Sequence, residues 1–386
     1  MVGNRIALVM DMARAYERGM LRGISRYSQL YGPCQFYRKM PQVSGGYEQV
    51  TPTELAQWGA QGLFLREGPN SRDLIAMGLP AVIAPFSEPF TEVSNVLTDD
   101  QAIGKLGAGH LMECGFKHFA YCGLGESFFW SAGRCRSFTR AIEEAGYAVS
   151  SIALPVKDRH HISWSDSLKI LQAWLQQLPK PTGLMACNDD VCLHVIEACK
   201  VEGIAIPDHV GLLGVGNDEM ICGLCSPPLS SIVLSTEKAG FEAAQWLAQR
   251  IEDTTLPDIS FPVHALHVVS RQSTDVLMID DPVIQKTVRY IKDHAQQGIH
   301  VGDVLKEIPS SRSTLYKRFS EVMGQSIYDF IRRVRVERAA RLLLETEMSI
   351  SEIASALGFM DQKNVSRYFK QITGKTPAQY RKAFKI

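Results

Sequence analysis

Ser349-Ile350-Ser351-Glu352-Ile353-Ala354-Ser355-Ala356-Leu357-Gly358-Phe359 decides how the C-terminal part of this 386-residue chain is read. Ile353 and Leu357 stand one helical turn apart on a single apolar stripe, and Gly358 supplies a tight turn. A second helix follows through Gln362-Lys363-Asn364-Val365-Ser366-Arg367-Tyr368-Phe369-Lys370. Its spacing predicts Val365, Phe369 and Ile372 inward, and Gln362, Lys363, Ser366, Arg367 and Lys370 outward.

The same arrangement stands earlier in the chain. Val301, Val304, Leu305 and Ile308 make one helical face, Pro309-Ser310 breaks it, and Ser311 is placed to cap a second helix. There Leu315, Phe319 and Val322 are expected inward, leaving Arg312, Ser313, Tyr316 and Lys317 to water. Between the copies Ile327, Phe330, Ile331 and Val334 run on into Leu342 and Leu343, which predicts one long connecting helix. A short helix, a turn and a second helix with a polar outer face is what reading the DNA major groove requires. Two such units on one rigid helix can address grooves about one DNA turn, roughly 34 Å, apart.

Charge points the same way. From Pro282 onward there are 19 Lys+Arg against 10 Asp+Glu, and the preceding residues hold 22 against 31, so a neutral chain joins a basic module to an acidic one. The run Arg332, Arg333, Arg335, Arg338 and Arg341 reads either as a solvated helix face or as part of a phosphate footprint.

Gly358-Phe359, Tyr368-Phe369-Lys370 and Thr373-Gly374-Lys375-Thr376-Pro377-Ala378-Gln379-Tyr380-Arg381 resemble the DNA-binding domain of the arabinose-operon activator family. Pro309-Ser310 and Asn364-Val365 depart from that pattern. The expected domain is 282–386, all-α with two helix-turn-helix units. Its DNA contacts are expected from Arg312, Ser313, Tyr316 and Lys317 in one unit and Gln362, Lys363, Ser366 and Arg367 in the other.

Residues 1–275 alternate strands with helices. Expected strands are Ile6–Met10, Gln35–Arg38, Gly62–Leu65, Ala81–Pro85, His118–Cys122, Ser151–Leu154, Thr182–Ala186 and Gly211–Val215. The helices between them include Tyr16–Tyr31, Thr53–Gly59 and Arg72–Met77, and, where the pattern restarts after Gln101–Cys114, Arg136–Ala145, Ser165–Gln177 and Val191–Lys200. Apolar strands in this order make parallel sheets covered on both faces, and two in succession make two lobes with a ligand cleft at the strand ends. Asp11, Tyr16, Arg66, Trp130, Arg134, Asn188, Asp189 and Asn217 fall on those loops. A carboxylate or amide accepting hydroxyls, an arginine fork and an indole for an apolar ring face would form a sugar pocket. Read singly, Asp189 is also an ordinary helix cap.

Thr98-Asp99-Asp100-Gln101-Ala102-Ile103-Gly104, Trp130-Ser131 with Arg134 and Phe138, Ala186-Cys187-Asn188-Asp189-Asp190 and Pro227-Pro228-Leu229-Ser230-Ser231-Ile232 resemble the effector domain of the lactose/galactose-repressor and periplasmic sugar-binding family. That resemblance implies a periplasmic-binding-protein-like fold. The expected N-lobe is about 1–115 and 235–266, the C-lobe about 116–234, and the linker 276–281. It implies sugar contacts at Arg134 and Asp189, with Asn188 and Asp11 close by. It also exposes a departure, because the family's sugar-binding aspartate falls at Gly216. The combined architecture resembles the xylose-operon activators. It implies a homodimer that binds double-stranded operator DNA, senses a monosaccharide and, as an activator, meets RNA polymerase. A repressor, another small-molecule effector or a lost response stays open.

Other classes find little in the chain. No Gly-x-Gly-x-x-Gly after the first strand, Gly-x-x-x-x-Gly-Lys-Ser/Thr, Gly-x-Ser-x-Gly or His-Glu-x-x-His is present, so neither an enzyme nor a bound cofactor is expected. No apolar run reaches the ~20 residues of a membrane span and no signal-peptide pattern opens the chain, so a cytoplasmic protein is expected. The nine cysteines form no regular framework and read as small buried residues, and Cys222-Gly223-Leu224-Cys225 lacks a second pair for a metal. Alternation along Val263–Val269 predicts a strand with His264 and His267 at its surface.

Overall fold

Apolar strands too short for helices, each followed by a capped helix, resolve in the computed structural model into two six-stranded sheets and a helical domain. The structure describes all residues except 1–2, 40–48, 158–160, 163, 277–278, 280, 295–298, 360–361 and 386, and it leaves the side chains of 157, 161–162 and 362–364 undescribed. In chain order the strands are β1 (Arg5–Val9), β2 (Gln35–Tyr37), β3 (Gly62–Arg66), β4 (Ala81–Ala84), β5 (Ser94–Thr98), β6 (His118–Leu124), β7 (Val149–Leu154), β8 (Val156–Lys157), β9 (His161–Ile162), β10 (Thr182–Ala186), β11 (Val210–Val215), β12 (Ser230–Leu234), β13 (Ser260–Val263) and β14 (Ala265–Val269). The helices of the two-sheet part are α1 (Ala15–Tyr31), α2 (Pro52–Trp58), α3 (Ser71–Ile75), α4 (Asp100–Glu113), α5 (Phe129–Glu144), α6 (Trp164–Gln177), α7 (Asp189–Val201), α8 (Glu219–Leu224) and α9 (Thr236–Glu252). The helical domain follows with α10 (Pro282–His294), α11 (Val301–Glu307), α12 (Arg312–Met323), α13 (Ile327–Glu345), α14 (Ile350–Ala356), α15 (Gln362–Thr373) and α16 (Pro377–Phe384).

The first sheet, β13-β5-β4-β3-β1-β2, is wholly parallel. The second, β14-β12-β11-β10-β6-β7, is parallel except for β14, which runs against β12 at the edge. Leu63, Phe64, Leu65 and the whole of β4 are buried, as strands covered on both faces must be. The cover on the first lobe comes from α1 and α9 in close contact. A Cβ at Gly23 would sit 1.9 Å from the Glu237 carbonyl oxygen, so only glycine permits that approach.

The crossings between lobes differ in place from the sequence reading. Helix α4 packs on α5, β10 and β14, so the chain leaves the first sheet at Asp99–Asp100 and not after Gly115. It returns from β12 into α9 and crosses again at His264, between β13 and β14. Val263–Val269 is therefore no single strand. His267 is not at the surface either: it is buried beneath the C-terminal domain, and burial, then Arg341, lowers its pKa to about 4. Helix α5 begins at Phe129 rather than Arg136, which carries Trp130 and Arg134 into its first two turns. Seven of the nine cysteines are buried and two partly so, all unbridged.

In the helical domain α13 spans 19 residues, about 28 Å at the helical rise, and serves two cores. One gathers Ile284, Val304, Ile308, Leu315, Phe319, Phe330 and Ile331, and the other Val336, Leu343, Ile353, Leu357, Phe369 and Tyr380. Ser311 caps α12 by accepting from the Thr314 N–H, as expected. Val322 and Ile372, expected inward, are 41% and 43% exposed, because each lies in the last turn of its helix, outside both cores. Most of the arginine run on α13 is neither solvated nor free for phosphate. Arg335 is buried and donates to the Ile299 carbonyl, and Arg333 pairs with Glu113 of α4. Arg341 donates to the Val268 carbonyl, while Arg332 lies 3.8 Å over the Tyr368 ring and donates to Gln371. These cations dock the linking helix onto the two-sheet domain and its own neighbours. Among the described residues no helix is long and apolar enough to cross a membrane.

Candidate functional site

A cavity of about 640 Å³ opens between the lobes at the carboxyl ends of the strands. Seven of the eight sequence-derived ligand residues line it: Asp11, Tyr16, Arg66, Trp130, Arg134, Asn188 and Asp189. Asn217 does not. It follows Gly216 with φ 47°, and its Oδ1 accepts from Arg271 2.9 Å away, on the side facing the C-terminal domain.

Several cleft groups are held by definite partners. Arg66, at the end of β3, stacks 3.5 Å over Phe86 and 5.0 Å from Tyr16, and donates to the Ala84 carbonyl. Burial pushes the Tyr16 hydroxyl up to about 12, keeping it neutral. Arg134, 5% exposed, donates to Asp100 at 3.0 Å and to the Cys187 carbonyl at 2.6 Å, and its Cζ lies 4.8 Å from the Trp130 ring. Asn188 is the residue that caps α7, accepting from the Val191 N–H. Asp189, also placed to be that cap, instead accepts from Ser231 Oγ at 2.6 Å and from the Asp218 N–H at 2.8 Å. Burial lifts its carboxyl pKa to about 6, against the pull of those two hydrogen bonds.

Three contacts join the lobes across the mouth. Arg14 meets Asp190 at 2.6 Å, Arg18 meets Asp218 at 2.6 Å, and the Ala15 N–H donates to Asp218. The cleft also contains Glu17, which was not among the ligand contacts expected from the sequence. It is 1% exposed, 3.0 Å from Arg66 Nε, and its pKa is raised by burial. The signal was present: Glu17 stands on the Met20–Ile24–Tyr27 stripe, and a carboxylate on the buried face of a helix asks for a reason.

Gly216 adopts φ 124°, and a Cβ there would lie 3.3 Å from Asp189 Oδ2. An aspartate at this position would be strained and would face another carboxylate. Gly216→Asp is expected to destabilise the effector domain by about 1–3 kcal/mol, read as a lower urea midpoint at unchanged slope.

On the helical domain, Arg312, Ser313 and Lys317 of α12 are exposed and Tyr316 is half-buried with Arg312 5.5 Å over its ring. On α15 Arg367 is exposed and Ser366 partly so, whereas the side chains of Gln362 and Lys363 lie outside the described residues.

A two-lobed effector cleft followed by two helix-turn-helix units on a shared helix defines a transcription regulator that responds to a small molecule and binds DNA. The comparisons agree. Residues 108–274 match the periplasmic binding protein-like domain and 305–383 match a helix-turn-helix domain. The chain is similar to the xylose operon regulatory proteins of Escherichia coli K12 (27% identical, covering 98% of this chain and 97% of the relative) and Haemophilus influenzae (28%, 98% of each). A solved xylose-binding transcription activator superposes with TM-score 0.61 at 27% identity, over 99% of this chain and 98% of that one. A ribose-bound regulator from Enterococcus faecium matches the fold of the effector domain (18% identical, TM-score 0.55, 71% of this chain and 100% of that one). The present chain carries both domains in the order, and over nearly the whole length, of the xylose operon regulatory proteins.

Proposed function

We propose that this regulator is a cytoplasmic, non-catalytic activator of a carbohydrate catabolic operon, with a monosaccharide in the interlobe cleft as its effector. The observation that carries the reading is the convergence of acidic, arginine and indole side chains from both lobes on one cavity. Ligand that binds the closed cleft more tightly than the open one shifts the population, and only that difference can drive a response. In a homodimer, the geometry between paired heads would change with it, and four helix-turn-helix units would read a long site with two half-sites contacted near RNA polymerase. The full-length similarity to xylose operon regulators supports a pentose-like effector, while Gly216 sets this cleft apart from the family pattern.

The test begins with selection from random-sequence DNA by the purified chain at about 0.15 M salt. A bipartite consensus is expected. Arg312→Ala should then lose about 1–3 kcal/mol of discrimination at one position in each half-site. Absence of any enriched sequence would sink the DNA-reading assignment.

A further inference from the structure

Among the described residues, three buried side-chain atoms on the cleft wall have no hydrogen-bond partner: Glu17 Oε2, Arg66 Nε and Trp130 Nε1. Arg66 Nε is spoken for electrostatically, lying 3.0 Å from Glu17 Oε1. That leaves one acceptor and one donor. Glu17 stands in the first turn of α1 on the first lobe, and Trp130 in the first turn of α5 on the second. A buried polar atom without a partner costs free energy, so a pair of them on opposite walls of one cavity describes the ligand it awaits.

The pair is selective by chemistry. A hydroxyl can donate to a carboxylate and accept from an indole N–H, alone or through neighbouring hydroxyls of one ring. A carboxylate or phosphate can accept from Trp130, but has nothing to donate to Glu17 and brings like charge to it. Of the cations that line the cavity, Arg66 is paired with Glu17, Arg134 with Asp100, Arg14 with Asp190 and Lys39 with Glu54, and the remaining one, Arg38, is exposed. Asp189, the family-like acceptor, already accepts from Ser231 and Asp218, and position 216 has no side chain.

Resting on the sugar-effector reading above, we infer that Glu17 is a hydroxyl acceptor of this cleft. With Trp130 as the facing donor, it restricts the effector to uncharged polyhydroxy molecules and excludes the corresponding sugar acids. Glu17 belongs to the first lobe and Trp130 to the second, so one bound ring satisfies both only when the lobes are together. Recognition and closure are then the same event.

The experiment uses the full chain and calorimetric titration with D-xylose, L-arabinose, D-ribose, D-glucose and the aldonic acid of each. At least one neutral sugar should bind, and its aldonic acid should bind at least tenfold more weakly. Glu17→Gln and Trp130→Phe should each weaken the neutral sugar by about ten- to a hundredfold. Trp130→Phe keeps an aromatic ring without the N–H and leaves the Glu17–Arg66 pair untouched, so it reports even where Glu17→Gln disturbs folding. A neutral sugar binding both variants as tightly as the unaltered protein overturns the assignment and leaves the sugar reading standing. Preference for an acid overturns the exclusion. Heat from none of the eight compounds overturns the sugar reading and this inference with it.

Discussion

Arg134→Ala should cost the effector domain about 3–5 kcal/mol, the range for removing one partner of a buried ion pair. The guanidinium contacts three separate acceptors: Asp100, the Cys187 carbonyl and Thr98 Oγ1. Its loss strands the Asp100 carboxylate, whose pKa burial already raises, and a buried carbonyl. Urea unfolding followed by tryptophan fluorescence measures the effect, since Trp130 lies beside the lesion. Arg134→Lys should recover little, because a point charge cannot serve three acceptors set around a planar fork. Arg134→Ala with Asp100→Ala should lose less than the two changes summed. A loss below about 1 kcal/mol for Arg134→Ala alone would mean that the pair behaves as an exposed one, against the burial on which the account of the cleft depends.

Phe369→Ala should be comparably severe, at about 3–5 kcal/mol for a large ring taken from a closed core. Phe369 is fully buried at the centre of the second helical core, 5.1 Å edge-on from Tyr380. That core holds α14 and α15 against the far half of α13, so its loss should melt the second reading unit while α10, α11 and α12 keep their own core around Phe319. Amide hydrogen exchange would show protection lost from Ser349 onward and kept across Arg312–Met323. DNA binding should fall to that of a protein with one reading unit per chain. Uniform loss of protection across both cores would show that α13 couples them into one folding unit.

Much of this was legible in the residues. The strand-helix alternation marked two covered sheets because β3, β4 and β10 have almost no polar positions, and the two helix-turn-helix units followed from apolar spacing and a glycine turn. The cleft was legible for a topological reason, since residues at the carboxyl ends of parallel strands must meet. What escaped depends on contacts distant in sequence. Nothing in Arg333 or Arg341 announces that Glu113 and the Val268 carbonyl lie opposite them, so a docking surface read as solvent or phosphate contacts. Asn217 looked like a cleft residue by its position after β11, but the positive φ at Gly216 turns it toward Arg271. Asp189 and Asn188 traded roles because both can cap a helix, and the burial of Asp189 beside Ser231 decides between them.

The edge of the second sheet has a further consequence. Strand β14 ends that sheet, and what lies over it is the head: Arg341 donates to the Val268 carbonyl and the Tyr380 hydroxyl to the Leu266 carbonyl. An open strand edge templates pairing with other chains. The two domains are therefore not freely interchangeable parts. A fusion that gives this effector domain a different head, or a truncation at the linker, uncovers a ready site for aggregation, and recombination would favour only heads that bring a cover of their own.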